Sequence, residues 1–195
     1  LIDKEGVIRE FHSGEGKYAE TEALIQKLIE DMGTDVSNVK INKQTYQIQS
    51  RSPETYLGLT RMEGLASPER PELNKTVSFT HPESLSFNEF SFSGNWNISE
   101  EHASAETNSE LQFHFESKDV FLVMRPKKEG VVGKVEVYLD DKLIVNGTET
   151  DVKNGVVTID ADRLYTLLKQ ASPSKHVIKL KFLDDNVEAF AFTFG

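Results

Sequence analysis

The clearest pattern in this chain is the alternation of apolar and polar positions from about Ser84 to the C-terminus. Such alternation places one set of side chains on a buried face, as expected of half-exposed strands. Residues typical of tight turns separate the runs, for example Asn154-Gly155. The pattern predicts an antiparallel jelly-roll β-sandwich. The four clearest runs are Leu111-Phe113-Phe115, Val135-Val137-Leu139, Ile178-Leu180-Phe182 and Phe190-Phe192-Phe194, and we assign all three phenylalanines of the last run to the core.

Helical spacing occurs at two places. Apolar residues recur every three to four positions from Tyr18 to Met32, and Gly33 follows as a stop signal, so an amphipathic helix is predicted there. Before it, Leu1 to Phe11 reads as a β-hairpin turning at Asp3 to Gly6. A second, short helix is predicted from Asp162 to Lys169, inside the sandwich. The fold class is therefore mainly β, with a preceding hairpin and helix.

These elements divide the chain into three parts. A two-stranded hairpin is too small to cover the apolar stripe of a helix, so residues 1–33 need a further partner surface. Residues 34–50 are polar with isolated apolar positions, which is typical of a connector. Residues 51–195 form the main domain, with its core at about 84–195.

Composition excludes several functions. The formal net charge of −10 argues against binding to a nucleic-acid backbone, which needs clustered lysine and arginine. No stretch approaches the roughly 20 consecutive apolar residues of a membrane helix. The chain contains no cysteine, so it cannot perform dithiol chemistry by itself.

No catalytic set or metal site is predicted, and no cofactor is expected. The five histidines are dispersed, without the spacing of a zinc motif or of a nucleophile elbow. They are His12, His81, His102, His114 and His176.

The same alternation of apolar and polar positions indicates candidate residues for ligand binding. If the apolar positions of the strand ending at Leu139 face the core, Tyr138 and Glu136 point outward, where an aromatic ring could stack on a sugar. The same reasoning exposes Gln112, His114 and Glu116 on their strand. The alternative for all five residues is an ordinary solvated sheet face. Trp96 is either a binding platform or a core anchor, and the core is the preferred interpretation.

Six short motifs along the chain are distinctive: Leu1-Ile2-Asp3-Lys4-Glu5-Gly6-Val7-Ile8, Ser52-Pro53-Glu54-Thr55-Tyr56-Leu57-Gly58, Gly94-Asn95-Trp96, Val135-Glu136-Val137-Tyr138-Leu139-Asp140, Arg163-Leu164-Tyr165-Thr166-Leu167 and Phe190-Ala191-Phe192-Thr193-Phe194-Gly195. They resemble motifs of DipZ/TlpA-type thiol-disulfide oxidoreductases. The first motif resembles a "LID-x-x-G-x-I" strand of that family's thioredoxin-like domain. The others resemble its C-terminal module, which is similar to carbohydrate-binding modules.

The resemblance implies a role for the chain. It would be the C-terminal part of an extracytoplasmic thioredoxin-like oxidoreductase, membrane-tethered through an N-terminal region, whose CxxC motif and cis-proline lie upstream. Its partners would be that upstream half and an envelope glycan or a protein substrate. The sandwich would then serve as an accessory binding or positioning module. Two other functions remain open: a stand-alone glycan-binding module and a structural protein-interaction domain.

Overall fold

The computed structural model describes residues 1–11, 18–36, 38–39, 52–145, 147 and 149–195. The chain divides into two compact units, Leu1–Gln47 and Ile48–Gly195. Most of the predicted connector lies outside the described residues.

The first unit contains the predicted hairpin and helix. Ile2 and Ile8 form an antiparallel bridge, and Asp3 Oδ1 accepts hydrogen bonds from the backbone N–H groups of Glu5 and Val7, which holds the turn. The helix α1 spans Tyr18–Glu30, and none of its residues is buried. Ile8 is 70% exposed and Phe11 is 84% exposed. The described part of this unit therefore leaves apolar side chains in solvent.

The second unit is built on one ten-stranded sheet among the described residues, and all pairings between its strands are antiparallel. A single turn of 3-10 helix covers Leu59–Arg61. This confirms a mainly antiparallel β fold. The strands are β1 Thr55–Tyr56, β2 Thr76–Phe79, β3 Phe90–Ile98, β4 Ala103–Ala105, β5 Glu110–Pro126, β6 Gly133–Leu139, β7 Lys142–Leu143, β8 Val156–Ile159, β9 Arg163–Phe182 and β10 Val187–Phe194.

The long strand β5 organises the sheet. It pairs with β9 along most of its length, with β3 near its start and with β10 near its end. Because β3 also pairs with β4, and β4 with β10, these strands close a ring of pairings. The register shifts between Ser117 and Asp119. This bulge bends β5 and changes the alternation, so that Phe115 before it and Val120 after it are both buried.

The short helix predicted from Asp162 to Lys169 is wrong, because Arg163 to Lys169 form the first part of β9. Tyr165 is fully buried and pairs with Leu122 of β5. Its hydroxyl donates to the carbonyl of Ala161 at 2.7 Å and accepts the N–H groups of Asp160 and Ala161 at 3.0 Å each. Pairing with a distant strand therefore outweighs the local helical spacing of the leucines.

An aromatic cluster fills the core around Trp96, which is fully buried. The Trp96 ring centroid lies 4.5 Å from that of Phe92 and 5.0 Å from that of Phe182. Its Nε1–H donates to the carbonyl of Ser93 at 3.0 Å, so the buried indole is satisfied. The structure thus places Trp96 in the core, away from any binding surface.

Phe190 departs from the core assignment made for the last strand. The register of β10 against β5 shifts between Ala189 and Ala191, and the extra residue turns the Phe190 side chain away from the core. Phe192 is fully buried. The bulge therefore moves one aromatic ring of the predicted core to the outer surface of the sheet.

Candidate functional site

Five of the six residues predicted to bind ligand share one outer face of the sheet, and the sixth, Trp96, is buried in the core. Glu136 and Tyr138 lie on β6, whereas Gln112, His114 and Glu116 lie on β5. The strand β9 runs between them, because Lys179 pairs with both Tyr138 and Gln112. Two strand spacings, about 10 Å, therefore separate the two groups. The strand between them contributes the outward-facing Lys175, Lys179 and Lys181, which the sequence reasoning did not single out.

The side chains on this outer face are largely engaged with one another. The Tyr138 hydroxyl donates to Glu136 Oε2 at 2.8 Å, and this hydrogen bond raises the pKa of Tyr138 above its usual value. Lys179 Nζ lies 2.7 Å from Asp141 Oδ1 and 5.1 Å from the centre of the Tyr138 ring. One face of that ring is therefore already in contact with a cation, which leaves less of it for stacking on a ligand.

His81 contacts side chains on the same outer face of the sheet. Its Nδ1 is 2.8 Å from Ser91 Oγ, and its Nε2 is 3.4 Å from Glu110 Oε2. Burial lowers the pKa of His81, and this effect outweighs the neighbouring Glu110, which acts to raise it. His81 is therefore held mainly neutral in the folded protein.

A polar groove with a volume of about 680 Å³ lies on a different part of the sheet. Asparagine, serine, threonine, histidine and charged side chains line it, without any large aliphatic residue. The lining residues are Asn74, Thr76, Asn97, Ser99, His102, Ser104, Glu106, Thr107, Lys127, Asp185 and Glu188.

One cross-strand row forms the centre of the polar groove. Thr76 of β2 pairs with Asn97 of β3, Asn97 pairs with Ser104 of β4, Ser104 pairs with Glu188 of β10, and Glu188 pairs with Arg125 of β5. Within the described part of the chain, the side chains of Thr76, Asn97 and Ser104 form no hydrogen bond. Both donors and acceptors are thus available along the row.

At the other end of the row, the Glu188 carboxylate is held in place by its neighbours. Arg125 Nε lies 2.6 Å from Glu188 Oε2, and His102 Nε2 lies 3.3 Å from Glu188 Oε1. The Phe190 ring packs against both neighbours of Glu188, with its centre 5.0 Å from the Arg125 guanidinium and 5.3 Å from the centre of the His102 ring. Burial lowers the pKa of His102 in spite of the opposing effect of Glu188. The carboxylate is therefore held in one orientation by neighbours on two sides.

Sequence reasoning did not find the polar groove. Its row combines residues of five strands, and each of them carries only the ordinary signal of an outward position. Among the described residues, no group of three or more histidine, cysteine, aspartate or glutamate side chains could hold a metal ion. In the same part of the chain, no helix is long and apolar enough to cross a membrane.

Comparison with protein-family models identifies the class of this protein. The model described as "Thioredoxin like C-terminal domain" matches residues 52–195. Since the match covers most of the chain, this protein belongs to that family.

Similar proteins are found in two mycobacteria. The chain is 27% identical over 203 residues to Protein DipZ of Mycobacterium bovis and to Protein DipZ of Mycobacterium tuberculosis. All of this chain is covered, but only 26% of the length of either relative. These matches confirm the resemblance to the C-terminal part of a DipZ-like protein.

Among solved structures, the chain is similar to a family two carbohydrate esterase from Cellvibrio japonicus, with 11% identity and a TM-score of 0.35. The similar region covers 47% of this chain and 25% of that protein. A similarity at this level gives no information about ligand or activity.

Proposed function

We propose that this chain is the C-terminal region of an extracytoplasmic thioredoxin-like thiol-disulfide oxidoreductase, without the catalytic cysteines, and that residues 52–195 are its accessory binding or positioning module. The observation that carries the proposal is the family match over those residues in a chain that contains no cysteine. Thiol-disulfide exchange requires a thiolate as the attacking group. The dithiol chemistry therefore belongs to residues outside this chain.

The first unit provides a second, independent argument for this proposal. The unit exposes Ile2, Ile8, Phe11 and Met32, each at least 60% accessible to solvent. Apolar side chains of this size are normally covered in a stable domain. We assign residues 1–33 to the end of a thioredoxin-like domain, whose upstream half covers these side chains in the complete protein. The extracytoplasmic location and a membrane tether in an N-terminal region are part of the same proposal, and the similarity to DipZ supports them.

The test compares three proteins: the protein as its gene encodes it, a variant that ends at residue 51, and the 195-residue chain. We expect the chain to reduce no disulfide. The shortened variant should still reduce a small soluble disulfide, whereas the 195-residue chain should sediment with isolated cell envelopes through residues 52–195. Reduction of disulfides by the chain itself would refute the proposal. So would loss of small-disulfide reduction by a shortened variant that remains folded, since the module would then take part in catalysis.

A second function, glycan binding, is favoured by the polar groove. Sugar hydroxyls are both donors and acceptors, and so are the unpaired side chains of Thr76, Asn97 and Ser104. The groove is large enough for one or two sugar rings, since ligand pockets typically measure about 300 to 1,000 Å³. The outer face with Tyr138 stays the alternative predicted site.

Two single substitutions distinguish these surfaces. Asn97→Ala removes an unpaired amide from the groove, and Gln112→Ala removes an amide of similar size from the outer face. Calorimetric titration with soluble envelope saccharides should show binding that is weakened about tenfold by Asn97→Ala and unchanged by Gln112→Ala. The reverse result would place the glycan on the predicted outer face. No binding by the unchanged chain would leave the protein-interaction role as the function of the module.

A further inference from the structure

A serine, a histidine and an aspartate meet near the middle of β9. Ser174 Oγ lies 3.0 Å from His176 Nε2, and His176 Nδ1 lies 2.6 Å from Asp140 Oδ2. Asp140 Oδ1 also accepts the backbone N–H of Val177 at 2.9 Å. Each ring nitrogen of the histidine therefore has one partner, in the order serine, histidine, aspartate. Sequence patterns do not indicate this group, because Asp140 lies on a turn far along the chain from the other two residues.

The protonation states of the group follow from its contacts. Burial acts to raise the pKa of Asp140, but the hydrogen bonds from Val177 and His176 outweigh it, so the pKa lies below its usual value. A carboxylate can only accept hydrogen bonds. The proton of a neutral His176 is therefore on Nδ1, and the lone pair of Nε2 faces the Ser174 hydroxyl. This is the arrangement in which a histidine acts as general base for a serine nucleophile.

The group is open to solvent. Ser174 and His176 point to the same side of β9 as the buried Ile178. However, they lie beyond the buried part of the strand and are only half-buried. The side chain of His176 is 24% exposed and that of Asp140 is 52% exposed. A small molecule can therefore approach the Ser174 hydroxyl from the solvent.

We propose that Ser174 is a nucleophile that accepts acyl groups from small esters, with His176 as its general base and Asp140 as the residue that positions His176. Ser174 Oγ forms a bond to the ester carbonyl carbon while its proton moves to His176 Nε2. The carbon–oxygen bond of the ester breaks, and the leaving alcohol takes that proton. Water then attacks the acyl-serine, His176 accepts the proton of this water and returns it to Ser174, and a carboxylic acid leaves.

The expected rate of ester hydrolysis at Ser174 depends on which catalytic groups surround it. General-base assistance typically contributes about 10² to 10⁴-fold. No backbone N–H groups are assigned to stabilise an oxyanion, so the expected acceleration is at the lower end of this range. The hydroxyl of Ser174 has one proton and two acceptors, because Gln170 Oε1 also lies 3.0 Å from Ser174 Oγ. Removing this competing acceptor should direct the proton to His176 and speed the reaction.

The chain contains a matched control for reactivity. Ser91, His81 and Glu110 form a second serine–histidine–carboxylate group, with Ser91 Oγ 2.8 Å from His81 Nδ1. However, Ser91 is 0% exposed, so no reagent can reach its hydroxyl. In addition, His81 Nε2 has no hydrogen-bond partner among the described residues, so of these two groups only the Ser174 group combines a continuous chain of hydrogen bonds with access from the solvent.

The experiment treats the 195-residue chain with a fluorophosphonate, which reacts with activated serines. Ser174 Oγ would form a bond to phosphorus, fluoride would leave, and the proton would pass through His176 to water. Intact mass and peptide mapping should find one adduct, at Ser174. The adduct should disappear in Ser174→Ala and persist in Ser91→Ala. Its rate of formation should fall at least about 100-fold in His176→Gln and should rise in Gln170→Leu.

Hydrolysis of 4-nitrophenyl acetate tests the same residues with an ester. Asp140→Asn should lower kcat and leave KM unchanged, and Asp140→Glu should restore part of kcat, as expected of a positioning residue. Emission of the buried Trp96 shows whether each variant is folded. The proposal is overturned if the folded chain forms no adduct, if the adduct lies at another residue, or if His176→Gln reacts as fast as the unchanged chain.

Discussion

Substituting Gly94 by alanine should destabilise the second unit for two separable reasons. Gly94 has a φ of +82°, a backbone conformation that costs an L-residue with a Cβ atom energy. In addition, an added Cβ would lie 2.7 Å from Ser109 Oγ and 2.9 Å from Ser109 Cα. The second contact involves backbone, which cannot move aside as the end of a flexible side chain can. Gly94 lies in the middle of β3, two residues before the buried Trp96.

The structure also provides a control that separates these two reasons. Gly130 has a φ of +75°, but an added Cβ there would meet no atom within 4 Å. Left-handed backbone costs about 1 to 2 kcal/mol at either position, and both substitutions reduce the entropy of the unfolded chain by a similar amount, about 0.4 to 1 kcal/mol. Steric overpacking, about 1 to 3 kcal/mol, applies at Gly94 alone. We therefore expect a loss of about 1 kcal/mol for Gly130→Ala and about 2 to 4 kcal/mol for Gly94→Ala.

Urea unfolding followed by tryptophan fluorescence measures both losses. Trp96 is the single tryptophan of the chain and is fully buried in the second unit, so its emission reports the unfolding of that unit. With a urea dependence of about 1 to 3 kcal/mol per molar, Gly94→Ala should unfold at a urea concentration about 1 M lower than Gly130→Ala. Equal midpoints for the two variants would refute the reasoning, because the close approach of Ser109 would then have no energetic consequence.

Two further predictions follow from buried polar groups. Tyr165→Phe should lower the free energy of unfolding by about 1 to 2 kcal/mol in urea titrations, since the hydroxyl bonds to Asp160 and Ala161 are lost; an unchanged midpoint would contradict this. Because burial lowers the pKa of His81 below 6.5, the unfolded chain binds more protons just below that pH, so the stability of the unchanged protein should fall as the pH drops from 7 to 5. His81→Gln should lose a smaller part of its stability over that interval, and an equal loss would show that His81 is not responsible.

Local patterns in the sequence predicted the elements whose structure depends on near neighbours. The alternation around Phe113 and Val137 gives strands because one face of each is buried. The spacing of apolar residues after Tyr18 gives the helix α1. Bulges were not predictable in the same way. An extra residue near Phe190 leaves no composition signal, yet it reverses the side of the sheet on which the ring lies.

The segment from Asp162 to Lys169 shows the limit of local reasoning. Its leucines have helical spacing, but the long β5 pairs with most of the segment from Arg163 to Lys169, and Tyr165 is fully buried in this strand. Helix propensity is a weak preference of at most about 0.7 kcal/mol per ordinary residue. Tertiary burial of one aromatic side chain is worth several times as much.

The sequence by itself determined the mainly antiparallel β class, the helix α1, the family resemblance and the lack of cysteine chemistry, because these depend on residue types and on neighbours along the chain. Tertiary structure alone decided the functional surfaces. The row from Thr76 to Arg125 and the contact of Asp140 with His176 depend on register between strands far apart in sequence. A shift of register by one residue turns every side chain of a strand to the other face. Local patterns therefore indicate which residues point outward, and only strand pairing determines which of them meet.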